Sequence, residues 1–145
     1  MDPYEQEILH ILDSIKKTEY NDIKERQEKK KNIIDAVFER YRFYKKNIEN
    51  KKIIENELEA YELVDDISIL KKGDNIRCLN LRYFYDIKLM GQYYIVNIDY
   101  ENGGNIIMKN GEYVKTIKNN KHIMFRKLKN DLLVKSKLIN IVEGL

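Results

Sequence analysis

His10, His122 and Cys78 are the only histidine and cysteine side chains in this chain of 145 residues, and they stand far apart in sequence. A zinc site wants several such ligands at short spacing, so no structural metal is expected. Nucleophilic catalysis wants a serine or cysteine beside a base and a third, orienting group. Ser14, Ser68 and Ser136 fall in helix or strand-edge contexts, and no Ser-centred elbow is present. The phosphate-cradling patterns GxxxxGK and GxGxxG are also missing. The adjacent carboxylates Asp65 and Asp66 have the makings of an acid and a base, yet at the junction of two segments they read as a helix cap or helix end. His122, next to Lys121 at a strand start, reads as a surface residue. These patterns point away from an enzyme: no catalytic, cofactor-binding or metal-binding residue is expected.

Binding chemistry is what the composition offers instead. Residues 71–127 carry 11 Lys+Arg against 5 acids, and Tyr83, Phe84, Tyr85, Tyr93, Tyr94, Tyr100 and Tyr113 add rings able to stack on bases. Lys115, Lys118, Lys121, Arg126 and Lys127 are the candidate nucleic-acid-binding residues. Against that reading, alternate tyrosines in strands usually pack the sheet, and a pI of 8.7 is modest for a dedicated binder. The rival candidate is a protein-interaction stripe, Ile34, Val37, Tyr41, Tyr44 and Ile48, which advances by threes and fours as one helix face does. The repeat lasts about two heptads, short of the three or four that specify a coiled coil. A hairpin within the chain, packing of the helices on the C-terminal half, a coiled coil between chains and a groove for another protein all remain open.

The elements that must position these residues divide sharply. All six glycines lie beyond residue 72 and the only proline is Pro3, so the first seventy residues contain no internal breaker. Glu, Lys, Arg, Ile and Leu dominate there, which favours helix. Asp2 is placed to cap a helix whose first turn holds Pro3 and Glu5. Tyr4, Ile8, Ile11 and Ile15 form a first stripe; Lys16 to Asn32 is polar, with Asp22/Arg26 and Glu25/Lys29 at i,i+4 spacing, worth about 0.2–0.5 kcal/mol each. The spacing predicts a helix near 4–17, a polar joint and a second helix near 21–62, or one uninterrupted rod. The later stripe Ile54, Leu58 and Tyr61 is out of phase with Ile48. Charge divides the same way, with 13 Lys+Arg against 15 Asp+Glu in residues 1–64 and 14 against 9 in 65–145.

From Asp65 the period changes to two. Ile76 and Cys78 alternate with Arg77, Leu79 and Leu81, and Tyr94, Val96 and Ile98 share a face of the next strand. Asn102 to Asn105 is a turn, and Asn110-Gly111 is the strongest hairpin signal, with positive φ expected at both positions. Five or six short strands in a meander most naturally close into a small SH3-like barrel, because closure removes exposed edges. Residues after 128 resume helical spacing, with Asn130 or Asp131 as cap, Leu138 and Ile141 or Val142 on the buried stripe, and Gly144 as stop. The fold class is therefore α+β: a long N-terminal helical arm over 1–64 (helical hairpin or coiled coil), a small antiparallel β-barrel over 65–128, and a C-terminal helix over 129–145 packing on the barrel.

The order KKGDNIRCLN, LMGQYYIVNID, NIIMKN and IMFRK resembles a small β domain that recurs in large double-stranded DNA viruses of protists. Gly73, Asp74, Ile76, Arg77, Gly91, Lys109, Asn110, Phe125 and Lys127 carry the likeness, which covers residues 70–127; a Gly-Gly before the central strand is here Gly91-Gln92. The resemblance implies a viral origin and a virion or virus-factory component. With one cysteine, no long apolar run and an acidic N-terminal stretch, a reducing, cytosol-like compartment of a host cell is expected. The functional expectation is a non-enzymatic structural protein, a minor capsid-associated virion component, that engages itself or partner proteins through the helical arm. The alternative is a nucleic-acid-binding protein using the basic, Tyr-rich barrel. No cofactor, small-molecule substrate or membrane span is expected.

Overall fold

The computed structural model describes residues 2–101, 103–118 and 122–144, with the side chains of residues 8, 12 and 14 outside that description. Helix α1 runs Pro3–Ser14, α2 Lys17–Arg40 and α3 Lys45–Glu57. Asp2 caps α1, its Oδ1 accepting from the Glu5 backbone N–H at 2.8 Å. The joint between α1 and α2 is only Ile15–Lys16, shorter than the polar joint expected, and Ile15 is buried. The expected helix over 21–62 is broken at Tyr41–Tyr44, where the chain turns and α3 folds back on α2 as a hairpin. The break falls inside the Ile34–Ile48 stripe, and the phase slip after Ile48 lies within α3, where Ile48 is exposed and Ile54 buried. A continuous rod would hold Ile54 and Leu58 away from Ile34 and Phe38; the hairpin packs all four in one cluster, and Lys51 reaches Asp35 at 2.9 Å. Within the stripe, Ile34 is buried, Val37 and Tyr41 are half-buried, and Tyr44 and Ile48 are exposed, so no single seam runs through them.

Residues 58–62 leave the helix because two further interactions turn the chain. Lys30 of α2 donates to the carbonyls of Leu58 and Tyr61, each at 2.9 Å, satisfying acceptors at the end of α3. Burial there pulls the Lys30 ammonium below its ordinary pKa. The next residues form strand β1, Tyr61–Leu63, and Ile67–Ile69 forms a 3₁₀ turn whose cap, Asp66, accepts from the Ser68 N–H at 2.9 Å.

The remaining strands are β2 Asn75–Asn80, β3 Lys88–Leu89, β4 Tyr93–Asp99, β5 Asn105–Asn110, β6 Tyr113–Lys118 and β7 Ile123–Lys127. Their order is β1-β7-β2-β4-β5-β6, all antiparallel, with β3 on one end of β2 while β4 pairs its other end. The meander β4-β5-β6 is present. The closed barrel is not: among the described residues β6 pairs only with β5 and β1 only with β7, leaving the sheet open. Two local expectations also change. Asn110 pairs with Tyr113 in the ladder, so the hairpin turns on Gly111-Glu112, and only Gly111 has positive φ (59°). A bulge between Ile95 and Asn97 flips the alternation of β4, burying Ile95 and leaving Tyr94 and Val96 outside.

The sheet is covered on both faces, and that is why closure is unnecessary. Ile76 and Cys78 of β2 and Met124 of β7 face one core, shared with Ile95, Ile106, Met108 and Ile117 of the curled meander. Leu79 and Phe125, from the same two strands, face a second core with Ile34, Phe38, Ile54, Leu58 and Tyr61. The second core draws on both sides of residue 64, so the helices are built onto the sheet. Helix α4, Asn130–Glu143, lies against α1 and α2, and its Leu132 and Ser136 also border Tyr61 and Glu62 of β1. Its inward residues are Ser136 and Ile139, whereas Ile141 is exposed and Leu138 and Val142 are half-buried. Polar contacts select that face: Gln27 donates to Ser136, Lys135 meets Glu19 at 2.6 Å and Lys24 meets Glu143 at 3.2 Å. Its N-cap is Lys129, with no side-chain cap from Asn130 or Asp131. Among the described residues no helix is long and apolar enough to cross a membrane.

One ion pair ties these layers together. Glu62 and Arg126 are register partners on β1 and β7, and Arg126 Nε donates to Glu62 Oε1 at 3.1 Å. Arg126 also donates to the Ile69 carbonyl at 2.6 Å and lies 3.5 Å from Asp74, while Arg26 of α2 reaches Glu62 at 3.3 Å. Removing one partner of a buried pair strands the other. Glu62→Leu is therefore expected to lower the unfolding free energy in urea by about 3 kcal/mol. Glu62→Leu with Arg126→Met is expected to recover at least half of it; a single substitution costing under about 0.5 kcal/mol would place the pair among solvent-compensated surface bridges.

Candidate binding surface

Several of the residues with catalytic potential have structural partners. Cys78 is buried in the core of the curled meander, and burial pushes its thiol from 9.0 up to about 12, with the nearby Lys115 charge acting weakly in the other direction. Ser136 is bonded to Gln27, Ser68 lies in the 3₁₀ turn, and His122 Nδ1 is 3.2 Å from the Lys118 carbonyl. The Ser14 side chain lies outside the described residues. Asp65 lies 3.6 Å from Lys29, and Asp66 is the cap already described. Among the described residues no group of three or more His, Cys, Asp or Glu side chains is placed to hold a metal ion. The cavity between α2, β1 and α4 measures about 30 Å³, and a wider, open groove of about 830 Å³ runs between α2 and α3, lined by Phe38, Arg42, Asn47, Ile48 and Lys51 among others.

The basic set of the β region is not gathered into one surface. Lys115 pairs with Met108 and Lys118 with Asn105, so their side chains leave β6 on opposite faces. Arg126 is committed to Glu62, Asp74 and the Ile69 carbonyl. Lys127 stands opposite Tyr61 at the far side of the sheet, and Lys121 lies outside the described residues.

A different set is brought together. The α2–α3 turn carries Arg40, Tyr41, Arg42, Phe43 and Tyr44, and the β2–β3 loop carries Arg82, Tyr83, Phe84 and Tyr85. Folding α3 back on α2 sets this turn against that loop. Phe84 stacks on Tyr41 with centroids 5.7 Å apart, meets Tyr44 edge-on at 5.6 Å and Tyr85 at 6.0 Å. Tyr83 and Tyr85 are 5.8 Å apart. Each arginine lies by a ring: Arg42 4.5 Å from Phe43, Arg82 5.5 Å from Tyr83 and Arg40 5.6 Å from Tyr41. The rings are outside: Phe43 is 82% exposed, and Tyr83 and Tyr85 about half. Tyr83, Phe84 and Tyr85 form a contiguous exposed aromatic patch, and Phe43 is exposed on the facing turn.

Asn47 of α3, itself buried, fixes the two loops to each other. Its Nδ2 donates to the Phe84 carbonyl at 2.8 Å and the Tyr41 carbonyl at 3.2 Å, and its Oδ1 accepts from the Ile87 N–H at 3.0 Å. One turn later Asn50 donates to Asp86 Oδ1 at 2.8 Å and to the Ile87 carbonyl at 3.0 Å. The Asn50 bond, with Lys88 and Lys46 nearby, holds the Asp86 carboxyl below its ordinary pKa. Ile87, fully buried, anchors the loop in the second core. Sequence reading had Tyr41 and Tyr44 in a helical stripe and Tyr83, Phe84 and Tyr85 among the stacking rings; it missed Arg40, Arg42, Phe43 and Arg82. The signal was the twofold occurrence of Arg-aromatic runs, RYRFYKK and LRYFYD.

No family model, curated protein or solved structure matches this chain.

Asn47→Ala leaves three backbone groups to find other partners. We expect it to cost about 3 kcal/mol of unfolding free energy, at about 1 kcal/mol per lost bond, and to speed proteolytic nicking within 81–87; unchanged nicking would show that the loop holds itself. Cys78 keeps its proton in the folded state where the unfolded chain releases it above about pH 9. Its contribution is therefore complete below pH 9 and lost as pH rises toward 12. Iodoacetamide at pH 9 should label Cys78 only after unfolding, and rapid labelling of the native protein would contradict its buried, protonated state.

Proposed function

We propose that this chain is a non-enzymatic binding module whose working surface is the knuckle made by the α2–α3 turn and the β2–β3 loop. The observation that carries the reading is a set of rings held outward on a fixed frame: Phe43, Tyr83 and Tyr85 face solvent while Asn47 and Ile87 lock the backbone beneath them. Tyr and Arg are the residues in which binding energy concentrates, and rings pre-ordered before contact lose little entropy on binding. Tyr44 and Ile48, the exposed members of the helical stripe, lie on or next to this surface, so the arm takes part through its turn. Ile34 is spent on the second core. The proposal extends to an assembly protein of a viral particle or virus factory in a host cell, and what supports that setting is the resemblance of residues 70–127.

The test is site-specific photo-crosslinking in the protein's native setting, with p-benzoylphenylalanine in place of Tyr83 and, as control, of the equally exposed Tyr100 in the β4–β5 turn. Discrete adducts from position 83 that position 100 does not give are the expected result. No adduct from either, or the same adducts from both, would overturn the assignment of the surface.

A further inference from the structure

We infer that the knuckle binds single-stranded nucleic acid, an inference that rests on the binding-surface reading above and names the class of its partner. Charge is the first argument. Residues 40–46 carry Arg40, Arg42, Lys45 and Lys46 with no acid, and Arg82 adds a fifth cation from the facing loop. Two of these cations meet carboxylates, Arg42 with Glu39 at 3.3 Å and Lys46 with Asp86 at 3.9 Å, so the net excess of positive charge rests on Arg40, Lys45 and Arg82. The surface is therefore complementary to a polyanion.

Ring geometry is the second argument, and it separates nucleic acid from an acidic peptide. Arg42 lies over the Phe43 ring and Arg82 over the Tyr83 ring, so each solvent-exposed ring carries a guanidinium fork against one face. That pairing suits a nucleotide, whose base has a π-face and whose phosphate takes two N–H bonds from one fork. An acidic side chain uses the fork and leaves the ring unmatched. Bases can stack on protein rings only when they are not stacked on each other, which selects single strands over duplex. Phe43, Tyr83 and Tyr85 are spaced over two loops and provide platforms for about three bases. The residues are distinct from the Lys115 and Lys118 set on β6.

The test is fluorescence anisotropy of a fluorescein-labelled oligo(dT) or oligo(U) 12-mer with the full chain, titrated between about 25 and 200 mM salt. With about three phosphates engaged, the logarithm of affinity should fall against the logarithm of salt with a slope of about −2. Phe43→Ala and Tyr83→Ala should each weaken binding about tenfold or more, and Arg82→Gln should reduce the slope by about 0.7. Lys115→Gln with Lys118→Gln should change neither, and a duplex of the same length should bind at least about tenfold more weakly. All substituted side chains are exposed, and circular dichroism checks that the variants fold. Equal affinity for duplex, dependence on Lys115 and Lys118 in place of the knuckle, or no binding at low salt would each overturn the inference. Protein-only crosslinks from position 83 together with no binding of the 12-mers would overturn it while leaving the surface assignment standing; absence of both would remove the two together.

Discussion

Strands β2 and β7 are apolar on both faces, and the architecture follows from that constraint. Ile76 and Cys78 point one way and Leu79 the other; Met124 points one way and Phe125 the other; all five are almost completely buried. A strand pair of this kind needs a layer on each side. The curled β4-β5-β6 meander supplies one and the α2–α3 hairpin supplies the other. The helices cannot then be a free arm, and the sheet has no need to close on itself. Pairing by Arg77↔Phe125 and Cys78↔Met124 pins the arrangement, because a slip of one residue would exchange the two cores.

The knuckle is a consequence of the same packing. To lay Ile54 and Leu58 on Phe125 and Leu79, α3 must reverse at residues 41–44, and the reversal delivers that turn to the β2–β3 loop. The polar side of the arrangement is then completed by one asparagine, with both ends of its amide used. Nothing in this packing requires Phe43, Tyr83 or Tyr85 to be aromatic, since they lie outside both cores. A folding argument accounts for the frame beneath the rings; the rings themselves add contacts to one another outside both cores.

Legibility followed the range of the forces involved. The Asp2 cap and the α2 salt-bridge pairs depend on residues a few positions apart, and each is found where local chemistry placed it. The stripe from Ile34 to Ile48 was legible as a pattern and misleading as a surface, because a periodic row of apolar residues does not state whether its cover comes from another chain or from its own next helix. Half of the candidate surface was visible as rings; its arginines stand out only beside the rings they lie over.

Alone, the order of residues determined that the front of this chain is helical, that its rear is an antiparallel meander followed by a helix, and that it lacks the usual catalytic and phosphate-binding motifs. Tertiary structure alone decided the reversal at Tyr41–Tyr44, the conversion of 61–63 into an edge strand, the open sheet, the seat of α4 on α1 and α2, and the meeting of two Arg-aromatic runs some forty residues apart. The physical reason is that backbone propensity and capping act within a turn or two, whereas the choice of which apolar faces meet is settled by burial summed over the whole chain.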